Sequence, residues 1–170
     1  KCTPKDVADL LVVHARLFDL TIFPIDGSDE TVTRAESLAF GAGRPVLLLP
    51  EKTERPLPRS INTVAIAWDH SRPAARAVAD ALPFVQSAKR VSVLTVIDEK
   101  RLARPHSGVE LCKRLARHGV EVTFEAVEAG GRPIGDVLEA HAAERNTDLL
   151  VMGAYGHSKL REFILGGATR

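Results

Sequence analysis

Thr63-Val64-Ala65-Ile66-Ala67-Trp68-Asp69-His70-Ser71-Arg72-Pro73 is the stretch whose reading decides the fold. Its first six residues are an apolar run of strand length. The run stops at Asp69-His70-Ser71, a helix-start signal, and Pro73 falls in the first turn. Ala75, Val78, Leu82 and Val85 then recur at helical spacing. Pro83 interrupts that pattern and predicts a kink.

Outward from this stretch the alternation continues. Residues 91–97 (VSVLTVI) form a second apolar run. Residues 107–118 read as a helix with Leu111 and Leu115 inward, stopped by Gly119. Val120, Val122 and Phe124 alternate with Glu121 and Thr123, as in a half-buried strand. Ile134, Val137, Leu138 and His141 make a helical stripe, and His141 reads as a packed core residue. Leu149-Leu150-Val151-Met152 follows as a fourth strand and runs into Gly153. Strands and helices in strict alternation, with apolar strands, predict an α/β fold. The sheet is parallel and Rossmann-like, covered by helices on both faces. Ligands of such sheets lie beyond the carboxyl ends of the strands, where the strand order reverses. The loops after Trp68, Ile97 and Met152 open on that edge.

Composition narrows the function. The chain has 170 residues, 45% of them hydrophobic and 26% charged, which is ordinary for a globular protein. A formal net charge of +1 argues against a uniform basic surface for nucleic acid. The apolar runs are far shorter than the roughly 20 residues of a membrane span. Lys1-Cys2-Thr3-Pro4 has no signal-peptide layout. Cys2 and Cys112 make no disulfide framework or zinc spacing, and a reducing, cytoplasmic setting fits them. Cys112 reads as a small apolar filler.

The first fifty residues repeat part of the pattern. Arg16-Leu17-Phe18-Asp19-Leu20-Thr21-Ile22-Phe23-Pro24 aligns with Arg145-Asn146-Thr147-Asp148-Leu149-Leu150-Val151-Met152-Gly153, about one domain length later. Val46-Leu47-Leu48-Leu49 is a further strand, expected to be covered on both faces and to tie the two pieces together. It is a candidate for the vacant last place in the second sheet. Residues 51–59, with Pro56 and Pro58, read as a linker. The expected organisation is therefore the end of one domain (1–50), a linker (51–59) and a second domain (60–170) that lacks its last strand.

The glycine cluster of residues 153–169 follows the fourth strand. Glycines there let a backbone approach a ligand, and free N–H groups beside a helix start suit phosphate oxygens. The alternative is that they only make tight turns. Gly153, Gly156 and Gly166 meet the spacing of the universal stress protein signature: glycine, two residues, glycine, nine residues, glycine. The segment resembles that family, and so do the strand ends Ala67-Trp68-Asp69-His70-Ser71 and Thr95-Val96-Ile97-Asp98-Glu99. The early piece resembles the closing part of another such domain, with Pro24 in the place of Gly153 and no glycine pair after it.

The resemblance implies a five-stranded parallel sheet of the adenine nucleotide α-hydrolase-like type. It implies a site for ATP or a related adenine nucleotide, with or without magnesium. Asp69 would meet the ribose, although a helix N-cap is its alternative role. Ala67, Trp68 and Val96 would line the adenine, Met152 would belong to the same nucleotide site, and Gly153, Gly156, Gly166, Gly167, Ala168 and Thr169 would meet the phosphates. Gly167 stands where nucleotide-binding members usually carry a hydroxyl residue. The family also implies dimerisation through last strands, which a tandem chain would satisfy as a homodimer or an internal pseudo-dimer. The expectation is a regulatory binding module, with no catalytic or metal-binding residues. The alternatives are a scaffold that binds no nucleotide, and an adenylating enzyme of a related fold. The latter lacks its glycine-containing pyrophosphate loop at Asp69-His70-Ser71-Arg72-Pro73.

Overall fold

A computed structural model of the chain describes residues 4–51, 58–97 and 107–154. The chain divides into two compact units. Of the described residues, 4–51 and Ala154 belong to the first, and those between 58 and 153 to the second.

The first unit runs α1 (Pro4–Ala15), β1 (Thr21–Ile25), α2 (Asp29–Gly41) and β2 (Val46–Pro50). β1 and β2 are parallel, paired from Thr21↔Val46 to Ile25↔Pro50. The crossover helix α2 buries Val32, Ala35 and Leu38, which recur at helical spacing. Val32 and Ala35 pack with Ile25, Phe23 and Leu48. Leu38 packs with Ala15 and Ala42, joined by Leu11 and Val12 of α1.

The turn between β1 and α2 is built from short polar residues. Asp26 accepts from the Thr31 hydroxyl at 2.6 Å and from the Ser28 N–H at 2.9 Å. The Thr31 and Ser28 hydrogen bonds hold its carboxyl well below the usual carboxylate range. Their stabilisation is complete above the ordinary carboxylate pKa and is lost as pH falls through the lowered value. Ser28 caps α2, and Gly27 between them has φ of 80°.

The expectation for residues 46–49 is corrected here. Every residue of β2 is half-buried, not covered on both faces. β2 pairs with β1 in a two-stranded sheet, so among the described residues it takes no place in the other sheet. The short crossover through α2 sets β2 beside the strand that precedes it, which is the usual outcome for consecutive strands.

The second unit runs β3 (Thr63–Ala67), α3 (Arg72–Asp80), α4 (Leu82–Ser87), β4 (Arg90–Val96), α5 (Ser107–Ala116), β5 (Val122–Val127), α6 (Ile134–Glu144) and β6 (Leu149–Val151). The four strands are parallel, in the order β5-β4-β3-β6. A fifth strand is not among the described residues of this sheet. The chain steps outward from β3 to β5 and then returns beside β3, so the order reverses between β3 and β6.

Alternation along the strands sorts the side chains between two layers. Val64 and Ile66 of β3 and Val91 and Val93 of β4 pack with Ala74, Val78, Val85, Leu111 and Leu115 of α3, α4 and α5. The opposite face holds Ala65 and Leu94, and Glu125, which pairs with Leu94 across the strands. On that face Glu125 meets His141 of α6. Helices therefore cover both faces, as the apolar strands require.

Pro83 does not bend a continuous helix. α3 ends at Asp80 with Ala81 as its C-cap, and α4 starts with Pro83 in its first turn. A proline there gives up an N–H that has no intrahelical partner anyway. α5 stops two residues before the expected end, and Gly119 follows with φ of 79°. No helix among the described residues is long and apolar enough to cross a membrane.

Candidate functional site

The reversal between β3 and β6 brings two strand ends side by side. Ile66 pairs with Val151, and continuing that register sets Ala67 level with Met152. The Trp68 N–H donates to the Leu94 carbonyl at 2.8 Å, which extends the β3–β4 ladder past the last residue of β3. The buried Thr95 hydroxyl donates to the Trp68 carbonyl at 3.0 Å. Val96, half-buried, closes β4 one residue further on, opposite Val127. Ala67, Trp68, Val96, Met152 and Gly153 thus share the carboxyl edge of one sheet, and Asp69 follows directly.

Each of these positions has a local cause. The Trp68 indole is buried in the core, and its Nε1 donates to the Ser107 hydroxyl at 3.2 Å. Asp69 is exposed, and its Oδ1 accepts from the Ser71 N–H at 2.9 Å. The Ser71 hydroxyl accepts from the Ala74 N–H at 3.2 Å. The helix cap is therefore Ser71, not Asp69, because the serine oxygen reaches the third N–H along while aspartate closes the turn before it. Asp69 Oδ2 has no partner among the described residues.

Gly153 has a structural duty. A β-carbon there would lie 2.4 Å from Ala74 N, 2.7 Å from Pro73 C and 2.9 Å from Ala74 Cα. The end of β6 lies against the first turn of α3, and only glycine permits that approach. The spacing of Gly153 and Gly156 in the sequence gave no sign of this contact. Gly156, Gly166, Gly167, Ala168 and Thr169 lie outside the described residues.

Residues 60–170 match the universal stress protein family. The chain belongs to that family. Among solved structures, this universal stress protein is similar to one from the same family in Burkholderia pseudomallei. The two are 23% identical, with a TM-score of 0.49 over 63% of this chain and 90% of that one. It is also similar to protein Rv1636 of Mycobacterium tuberculosis, at 23% identity and a TM-score of 0.44 over 58% of this chain and 75% of that one. No curated protein matches the chain.

A second polar cluster lies away from the β3–β6 reversal, on the flank formed by β5 and α6. His141 is 6% exposed, and its Nε2 lies 3.0 Å from Glu125 Oε2. Arg145 Nη2 donates to the same oxygen at 2.7 Å. With Arg132 and Glu144 they line an open groove of about 450 Å³. Helical periodicity assigns His141 to the core but cannot reveal that its partner is a strand carboxylate. Glu125→Ala should cost about 1–3 kcal/mol, since it leaves a buried imidazole nitrogen unpaired. Urea unfolding measures this, and Glu125→Gln, which keeps an acceptor, should recover part of the loss.

Cys112 packs against the main core. Burial pushes its thiol up, so it is protonated at neutral pH and serves as an apolar filler. No group of three or more His, Cys, Asp or Glu among the described residues is placed to hold a metal.

Proposed function

We propose that this universal stress protein is a regulatory module that binds ATP or a related adenine nucleotide at the β3–β6 edge. The observation that carries the reading is the placing of Asp69 and Gly153 on one sheet edge where the strand order reverses, with one Asp69 oxygen unpartnered among the described residues. A carboxylate oxygen of that kind fits a ribose hydroxyl donor. The Val96 backbone suits the adenine edge, and the glycines of residues 153–169 suit the phosphates. Gly167 in place of a hydroxyl residue removes one hydrogen bond, worth about 1 kcal/mol, and lowers affinity without abolishing it.

In this reading the protein acts by binding, with at most a slow hydrolysis of ATP. The loop after β3, Asp69-His70-Ser71-Arg72-Pro73, has no glycine for a pyrophosphate, and no lysine follows a glycine in Walker fashion. The first fifty residues are the end of a degenerate domain of the same kind, so the chain is of the tandem type. It pairs through last strands, as a homodimer or an internal pseudo-dimer. Its setting is the cytoplasm, in keeping with cysteines that build no disulfide framework.

Gly156→Val should abolish nucleotide binding by blocking close approach of the phosphates. Asp69→Ala should weaken it about tenfold, the equivalent of one good hydrogen bond. Titration calorimetry with ATP, together with nucleotide released from the purified protein by acid, measures both. A parent protein that releases no nucleotide and takes up no ATP is a scaffold, and the reading fails.

A further inference from the structure

The groove on the β5–α6 flank is built within the second unit, away from the β3–β6 edge. Its volume of about 450 Å³ falls in the range of small-molecule sites. Its polar side chains fall into two groups. In the first, Glu125 Oε2 takes Arg145 at 2.7 Å and His141 at 3.0 Å. An ionised carboxylate only accepts, so His141 Nε2 carries the proton, and the charges of Glu125 and Arg145 cancel. His141 is 6% exposed, and its Nδ1 is buried without a partner among the described residues. A packed wall rarely leaves a polar atom in that condition.

Arg132 and Glu144 make up the second group. Arg132 comes just before α6, and its Nε donates to the Ala129 carbonyl at 3.2 Å, which anchors the side chain. Its terminal nitrogens have no partner among the described residues. Glu144 is the last residue of α6 and has no hydrogen bond or ion pair among the described residues. The eleven residues of α6 span about 15 Å, so the two charges stand toward opposite ends of the groove. Between them Val127, Val137 and Ala140 give an apolar stretch. The dipole of α6 has the same sense, positive toward Arg132 and negative toward Glu144.

We propose that this groove binds a small zwitterion whose two charges sit at the ends of an unbranched aliphatic chain. The carboxylate of the ligand pairs with Arg132, its ammonium pairs with Glu144, and the chain lies over Val137 and Ala140. The ligand class follows from the charges left over once Glu125 and Arg145 have cancelled. A simple anion leaves Glu144 unmatched, and a simple cation leaves Arg132 unmatched. An α-amino acid has both charged groups on one carbon and reaches one end only. The inference is independent of the nucleotide reading, since none of these residues belongs to that site.

The test is titration calorimetry of the full chain with 6-aminohexanoate, hexanoate, hexylamine and glycine. 6-Aminohexanoate should bind, and each single-ended probe should bind about fivefold more weakly, the worth of one exposed ion pair. Glycine should give no measurable heat. Arg132→Gln should weaken 6-aminohexanoate about fivefold and leave hexylamine unchanged. Glu144→Gln should weaken it as much and leave hexanoate unchanged. Both residues are exposed, so neither substitution disturbs the core. Arg132→Lys, which keeps the charge, should recover most of the affinity lost with glutamine. A parent that takes up no 6-aminohexanoate overturns the proposal. Hexanoate or hexylamine binding as tightly as the zwitterion also overturns it. So does either glutamine variant that weakens all three aliphatic probes alike, or none of them.

Discussion

Gly153→Val is expected to destabilise the second unit by about 3 kcal/mol, near the upper end of what overpacking costs. The β-carbon alone would stand 2.4 Å from Ala74 N and 2.7 Å from Pro73 C, well inside contact distance. Both are main-chain atoms of the first turn of α3, so no rotamer change relieves the clash. α3 is itself fixed, by the Ser71 cap at its start and by Ala74 and Val78, which are 2% and 1% exposed. The end of β6 is fixed too, through the pairing of Ile66 with Val151. Either the helix or the strand end must move, and both lie in the main core. Gly153→Ala should already cost a large part of this. Urea unfolding followed by circular dichroism measures the loss. A variant with the parent's midpoint and slope would mean that β6 and α3 do not approach so closely.

The strands were legible because burial on both faces leaves little choice of residue. Residues 63–68 and 91–97 read as apolar runs, and β3 and β4 fall on them within a residue or two. Helix starts and stops were legible where a single residue type performs the task, as with Pro73 in the first turn of α3 and Gly119 after α5. The edge on which candidate residues gather was legible for a topological reason. A parallel sheet collects all its strand ends on one side, so Ala67, Val96 and Met152 needed no contact information.

What stayed hidden depends on partners distant in the chain. Gly153 faces a helix that begins some eighty residues earlier, and a spacing rule reads such a glycine as ligand chemistry alone. Glu125 looks like an outward residue of a half-buried strand, yet it anchors His141 and Arg145 from the next helix. Pro83 carried the right signal with two meanings, kink or start, and the capping of α3 at Ala81 decided between them. Val46-Leu47-Leu48-Leu49 implied two covered faces, but an apolar run fixes only what a strand tolerates.

Trp68→Ala should cost about 4 kcal/mol, within the range for truncating a large aromatic side chain in a core. Trp68 is 9% exposed and packs in the main core cluster where β3 ends. Its backbone is held on both sides, by Leu94 through the N–H and by Thr95 through the carbonyl. The position therefore cannot shift to close the gap that alanine leaves, and the cavity contribution should be near its full size. The indole also ties β3 to the start of α5 through the Ser107 hydroxyl. Trp68→Phe separates the two contributions. It keeps most of the volume, loses the hydrogen bond and leaves Ser107 without its donor, so it should cost about 1–2 kcal/mol. The chain has one tryptophan, so fluorescence disappears with the substitution and the variants are followed by circular dichroism in urea. The parent supplies the control, because emission from its single buried indole should shift to the red over the same transition. An alanine variant within 1 kcal/mol of the parent would show that the core does not depend on this ring. An indole that already emits as if in water before unfolding would show that it is not buried there.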